Sequence, residues 1–112
     1  MWVTREFAPL DTLFSPDIVY CECYGPEYQG LNELSLWIKD MLSKQTVLCW
    51  ETKQYLHSGN AVVVEWFFKE QQQGEPNWFD GVSIIEFADD NRIRLIKEFE
   101  AKSDRIRPYQ SA

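Results

Sequence analysis

Histidine is nearly absent from this chain: His57 is the single imidazole in 112 residues. The thiols are few as well, Cys21, Cys23 and Cys49. A structural zinc site needs four His or Cys ligands in close array, and with one His it would have to draw in every thiol at spacings that follow no zinc motif. Cys21 and Cys23 stand two positions apart, not in a Cys-x-x-Cys motif, and on a strand they share one face. An odd count with no secretory leader argues against a disulfide framework, so all three read as reduced, small hydrophobes. No metal and no cofactor is expected.

Basic residues are also scarce, 11 against 18 acids, for a net charge of −7. Such a chain repels phosphate backbones, which excludes nucleic acid as an expected partner. The one basic excess, Lys102 to Arg107, has Asp104 inside it. The aromatic content does not make a single-strand binder without a basic groove. No apolar run approaches the roughly 18 residues that span a bilayer. Met1-Trp-Val-Thr-Arg-Glu lacks the basic-then-apolar plan of a signal peptide. No membrane association and a cytoplasmic location are therefore expected. Glycine-rich phosphate loops, nucleophile elbows and His-Glu-x-x-His motifs are missing too.

What is present is apolar, 45% of residues, and aromatic, 15%. That suits one folded domain over residues 1–112. Four long β-runs dominate it: Thr46–Leu56, Ala61–Gln71, Asn77–Phe87 and Arg92–Ala101. His-Ser-Gly-Asn, Gln-Gly-Glu-Pro and Asp-Asp-Asn clusters separate them, so three hairpins in a row predict an antiparallel meander. Strands this long accumulate twist and curl, giving a concave face that must be covered or filled.

Before the meander, a helical stub over about 1–14 carries Pro9 at its start, with Leu10, Leu13 and Phe14 on one side. It must end before Pro16, and Ser15-Pro16-Asp17 reads as a turn. Ile18–Tyr24 reads as a short strand, with Ile18, Tyr20, Glu22 and Tyr24 on one face. After Gly25-Pro26, Glu27-Tyr28-Gln29-Gly30 leads back toward a helix. From Leu31 to Ser43 the period is 3.6, and Leu34, Trp37, Ile38, Met41 and Leu42 form one apolar stripe. The economical solution is α+β: this helix docked on the concave face of the curved sheet. Residues from about 102 to 112 form a frayed tail.

Parity divides the meander. Val62, Val64, Trp66 and Phe68 share the inner face of the second run; Phe79, Gly81, Ser83, Ile85 and Phe87 share that of the third. The outer sets carry Glu65, Lys69, Asp80 and Glu86, yet also Val63, Phe67, Trp78, Val82 and Ile84. A sheet apolar on both sides has something packed on each, which predicts a homodimer through the outer face. The last run divides into Ile93, Leu95, Lys97, Phe99 and Arg94, Ile96, Glu98, Glu100. Neither set is cleanly apolar, so both registers remain open.

The order of short helix, strand, glycine turn, amphipathic helix and four-strand meander resembles the nuclear transport factor 2-like superfamily, and most closely its SnoaL-like branch. The residues that carry the resemblance are Phe14-Ser15-Pro16-Asp17-Ile18-Val19-Tyr20, Gly25 to Gly30 with Trp37 beyond, and Ala61 to Trp66. Phe79 to Phe87 and Ile93 to Phe99 complete it. The resemblance spans about residues 10 to 101 and implies a cone-shaped fold, a curved sheet wrapped on its helix, with a pocket between. In that superfamily the pocket serves isomerases, cyclases, dehydratases and epoxide hydrolases, and other members only bind proteins. The enzymes generally place a carboxylate or histidine in the pocket; here Glu98 stands where many relatives carry an acid in the last strand. Relatives usually begin with a full capping helix. The short stub here implies a more open pocket, or one closed by a partner subunit.

Glu98 is accordingly the candidate catalytic residue, a general base if it points inward among apolar neighbours. A surface glutamate paired across the sheet is the plain alternative. Tyr20, Glu22, Trp37, Met41, Trp50, Trp66, Phe79 and Ser83 are the candidate pocket residues, suited to a small apolar or aromatic molecule. The same side chains would also make a solid aromatic core. The expected function is therefore a small-molecule pocket. A cofactor-free isomerase, cyclase or dehydratase is one alternative, and a non-catalytic dimeric module is another.

Overall fold

The computed structural model describes residues 9–109. The switch from 3.6-residue to two-residue periodicity appears there as one main helix and one sheet. A four-residue α1 (Leu10–Leu13) runs directly into β1 (Phe14–Cys21); β2 (Glu27–Gln29) and α2 (Gly30–Lys44) follow. The meander is β3 (Thr46–Ser58), β4 (Ala61–Gln72), β5 (Glu75–Phe87) and β6 (Ile93–Ala101). The sheet order is β2-β1-β6-β5-β4-β3. β1 lies parallel to β6 and every other pair is antiparallel. The sheet is α+β in class, curved and unclosed.

The hairpins turn where the backbone takes positive φ. Gln73 and Gly74, at φ 52° and 80°, join β4 to β5. Two consecutive positive values match the twist of the flanking strands. Gly59 at φ 57° joins β3 to β4, and Asn91 at φ 67° lies between β5 and β6. Asn60 secures the β3–β4 turn, since its side chain donates to the Phe87 carbonyl at 3.2 Å.

α2 lays its apolar stripe against β1 and buries Leu34 completely. Full burial of a leucine contributes about 1.5–3 kcal/mol. The Gln29 amide, left without a helical partner at the helix start, donates to the Glu33 carboxylate at 2.9 Å. Two buried groups make the core. Phe14, Ile18, Tyr20, Leu34 and Ile96 lie under the helix. Val47, Trp66, Phe68 and Phe79 fill the other end.

Several expectations change. Ser15-Pro16-Asp17 is not a turn: it lies within β1, which begins at Phe14 and ends at Cys21. The register with β6 slips between Phe14 and Val19. Proline has no amide to give a ladder, and a slipped register is where a strand tolerates it. Glu22 and Tyr24, expected on that strand, lie just past its end. Glu27-Tyr28-Gln29 is a strand paired with β1, not a helical lead-in, so the sheet has six strands where five were expected. The stub is helical only at Leu10–Leu13; residues 1–8 of the expected segment lie outside the described residues. Residues 110–112 of the expected tail do as well. The start of that tail is tied down rather than free, as Ser103 donates to Asp80 at 3.2 Å and Trp78 donates to Asp104 at 3.3 Å.

Candidate functional site

The register of β6 decides the chemistry of the concave face. Ile85 pairs with Ile96, Ser83 with Glu98 and Gly81 with Glu100. Ile96 and Glu98 therefore share the inner face with Ser83 and Ile85, while Leu95, Lys97 and Phe99 face out. A slip between Glu86 and Phe87 lets Ile93 join the core as well. That slip is why neither parity set looked clean.

Glu98 is half-buried and accepts a hydrogen bond from the Tyr20 hydroxyl at 2.7 Å. Burial of the carboxyl pushes its pKa up to about 7; the Tyr20 hydrogen bond pulls it down and the charge of Glu22 pushes it up again. Tyr20 is itself buried. Its phenol is held well above the ordinary range, by burial first and then by the Glu98 carboxylate. It stays a neutral hydroxyl, fit to donate. Glu22 accepts from the Tyr28 hydroxyl at 2.6 Å. Burial raises the pKa of Glu22, that hydrogen bond lowers it and Glu70 raises it. Cys23, beside these acids, is driven up to about 12, chiefly by burial and then by Glu98, Glu100 and Glu22. It is no nucleophile.

Two spaces open on this face. One is a narrow cavity of about 40 Å³ between α2 and the sheet. Tyr20, Glu22, Trp37, Met41, Trp50, Trp66, Phe79 and Glu98 of the expected set all line it. The other is a hollow of about 390 Å³, open to solvent, along the uncovered part of the concave face. Tyr20, Trp50, Trp66 and Glu98 border both spaces. Ser83 is the one expected pocket residue outside the narrow cavity; it lies in the hollow and accepts from the Trp66 indole at 2.9 Å. That bond, and the absence of a side chain on Gly81, lay the Trp66 ring across the sheet as a partition. A Cβ on Gly81 would clash with three carbons of the Trp66 six-membered ring, far inside van der Waals contact.

Other lining residues were missed. Tyr24, Gln45 and Phe68 border the narrow cavity; Phe14, Val64, Ile85 and Ile96 border the hollow. Phe68 and Val64 continue the inner parity of Trp66 and were legible there. Glu70 follows on the same parity and is buried, hydrogen-bonded to Gln45 and, at 2.8 Å, to Gln72. A charge at an inward position was its only signal. His57 stands exposed at the end of β3, its ring 5.7 Å from that of Tyr55. Among the described residues no cluster of His, Cys, Asp and Glu could hold a metal ion, and no helix is long and apolar enough to cross a membrane.

The sequence matches the model of the SnoaL-like domain over residues 1–96. No curated protein matches it. Among solved structures it is similar to a hypothetical protein with a ketosteroid isomerase-like fold from Catenulispora acidiphila, in complex with trimethylamine. The TM-score is 0.71 at 17% identity, over 82% of this chain and 72% of that one. A LEH-like epoxide hydrolase from M. tuberculosis gives a TM-score of 0.70 at 18% identity, covering 82% and 68% of the two chains. A Mesorhizobium loti protein described as a SnoaL-like polyketide cyclase gives 0.70 at 16%, covering 80% of each. At such identities the likeness is one of fold.

Proposed function

The chain belongs to the SnoaL-like domain family, and from that premise we propose that its concave face is a small-molecule pocket in which Glu98 moves a proton without a cofactor. The ligand class is apolar and ring-bearing. The observation that carries the reading is the Glu98 carboxyl: inward, hydrogen-bonded to a buried tyrosine, and raised to about 7. A group titrating near the working pH is both a competent base and a competent acid. It borders a hollow of about 390 Å³, within the ~300–1,000 Å³ of ligand sites. Solved structures of the same fold are described as an epoxide hydrolase and a polyketide cyclase, which favours a catalytic use of the pocket. Glu98 accepts the proton, and Tyr20 fixes the carboxylate while remaining protonated itself. The outer sheet face is proposed to pair two copies of the chain, because Leu56, Trp78 and Phe99 stand exposed on it.

A flat substrate that needs only one base tests this. With 5-nitrobenzisoxazole, a carboxylate removes the ring C–H proton, the N–O bond breaks and a cyanophenolate forms. The rate should rise with pH through about 7 and fall about 100-fold or more in Glu98→Gln. A rate unchanged in Glu98→Gln, or binding without turnover, would overturn catalysis and leave a carrier.

A further inference from the structure

The narrow cavity has a composition that an apolar ligand does not require. Its walls are rings: Tyr20 and Trp37 with centroids 4.8 Å apart, Trp50 and Trp66 at 5.4 Å, Trp66 and Phe79 at 5.8 Å. Its polar groups are acids and neutral side chains. Glu22 and Glu98 line it, Gln45 lines it while holding Glu70, and no lysine, arginine or histidine is among the lining residues. Glu100 stands close enough to raise Cys23 and Tyr24. Burial raises Glu22 and Glu98 first, and a neighbouring carboxylate adds to each, Glu70 to Glu22 and Glu22 to Glu98, so negative charge is crowded around one desolvated space. An anion is excluded, a neutral group leaves the repulsion in place, and a cation relieves it. Aromatic faces add to the same preference, since their negative quadrupoles attract ammonium groups within about 6 Å of the ring centroid.

We propose that the narrow cavity is an ammonium subsite, and that the ligand is an amine whose cationic head sits among these rings beside Glu22 and Glu98 while its apolar body fills the hollow. The size agrees. A cavity of about 40 Å³ holds about three waters at ~10–15 Å³ each, the bulk of a small alkylammonium head. Tyr20, Trp50, Trp66 and Glu98 wall both spaces, so a ligand that occupies both passes the edge of the Trp66 ring beside the Glu98 carboxylate. This rests on the reading of the concave face as a ligand pocket and narrows it to amines.

Choline and its neutral isostere 3,3-dimethyl-1-butanol differ only in that charge, and both can be titrated into the intact protein by calorimetry. Choline should bind at least 10-fold more tightly, and Glu22→Gln should reduce that ratio about 5-fold or more with the fold intact by circular dichroism. A second readout is the Glu98 carboxyl by carbon NMR. Saturating choline should lower its titration midpoint in the presence of Glu22, Glu70, Glu100, Tyr20 and Cys23, and the neutral alcohol should not. Equal affinity for the two, or a ratio untouched by Glu22→Gln, overturns the ammonium subsite while the benzisoxazole reaction still stands. Loss of that reaction with choline preference retained overturns the catalytic reading instead. Failure of both compounds to bind at millimolar concentration overturns the subsite.

Discussion

A carboxyl raised to about 7 is held at a thermodynamic cost, and Glu98 should reveal it. Its ordinary value is 4.5. Between that value and about 7 the folded chain binds a proton that the unfolded chain has released. The favourable contribution of protonated Glu98 is therefore complete at low pH and is lost as pH rises through this window. The loss amounts to about 3 kcal/mol at most. Glu98→Gln keeps the shape without the charge. It should stabilise the protein by about 1–3 kcal/mol at pH 8 and by far less at pH 4, measured by urea unfolding at the two pH values. An equal effect at both would mean that the carboxylate is not held in a desolvated place. Tyr20→Phe acts oppositely. It removes the donor that favours the ionised form, so the Glu98 midpoint should rise further in an NMR titration. The fold should lose about 1.5–3 kcal/mol at pH 8, as for a hydrogen bond to a charged group.

The pairing of β4 with β5 sets the partition between the two spaces. Trp66 pairs with Gly81, and its indole donates to Ser83 two residues along β5. Gly81→Ala would push the ring off the sheet, at about 3 kcal/mol for an overpacked site. In thermal denaturation this variant should melt well below the parent, and tryptophan fluorescence should shift as the ring leaves its place. A variant as stable as the parent would show that the partition is not tight. Gly81 and Trp66 were both legible as inner-face residues, as were the apolar stripe of α2 and the four long strands, because periodicity over ten or more residues is hard to mistake; β3 runs on through His57-Ser58 and β5 starts at Glu75-Pro76, both expected as turns. Shorter or interrupted patterns gave no such guidance. β2 has three residues, too few to alternate. The path of β1 through Pro16 depends on a register slip with β6, a strand about 75 positions further along, and no local pattern records it. The direction of Glu98 depends on a similar slip beside Phe87. Glu70 is tolerated inside because Gln45, just past the end of α2, reaches it across the fold and Gln72 donates to it as well. Each miss is a non-local contact overriding a local preference.

At the scale of the whole molecule, the outer face of the sheet is what the chain leaves unfinished. Across the register Leu56, Val63 and Ile84 form one row and Val82 and Phe99 another. Leu56 and Phe99 keep 62% and 53% of their surface exposed. Four strands at about 4.8 Å spacing and ten residues of about 3.3 Å rise give roughly 600 Å² in projection. The accessible area of a corrugated face exceeds its projection, so this one is close to the about 800 Å² that each partner contributes to a standard interface. Two copies at −7 each also repel, and salt screens that repulsion. Sedimentation at ten micromolar should therefore give twice the mass of the chain, with association strengthening from low to moderate salt. Ile84→Lys, which buries a charge on the shared face of each copy, should weaken association by 100-fold or more, about 2.7 kcal/mol. It should leave the Glu98 midpoint unchanged, because Ile84 points away from the pocket. A monomer at that concentration would sink the pairing. If Ile84→Lys separated the copies and moved the Glu98 midpoint as well, pairing on the outer face would be coupled to the pocket through β4, β5 and β6, whose side chains alternate between the two faces.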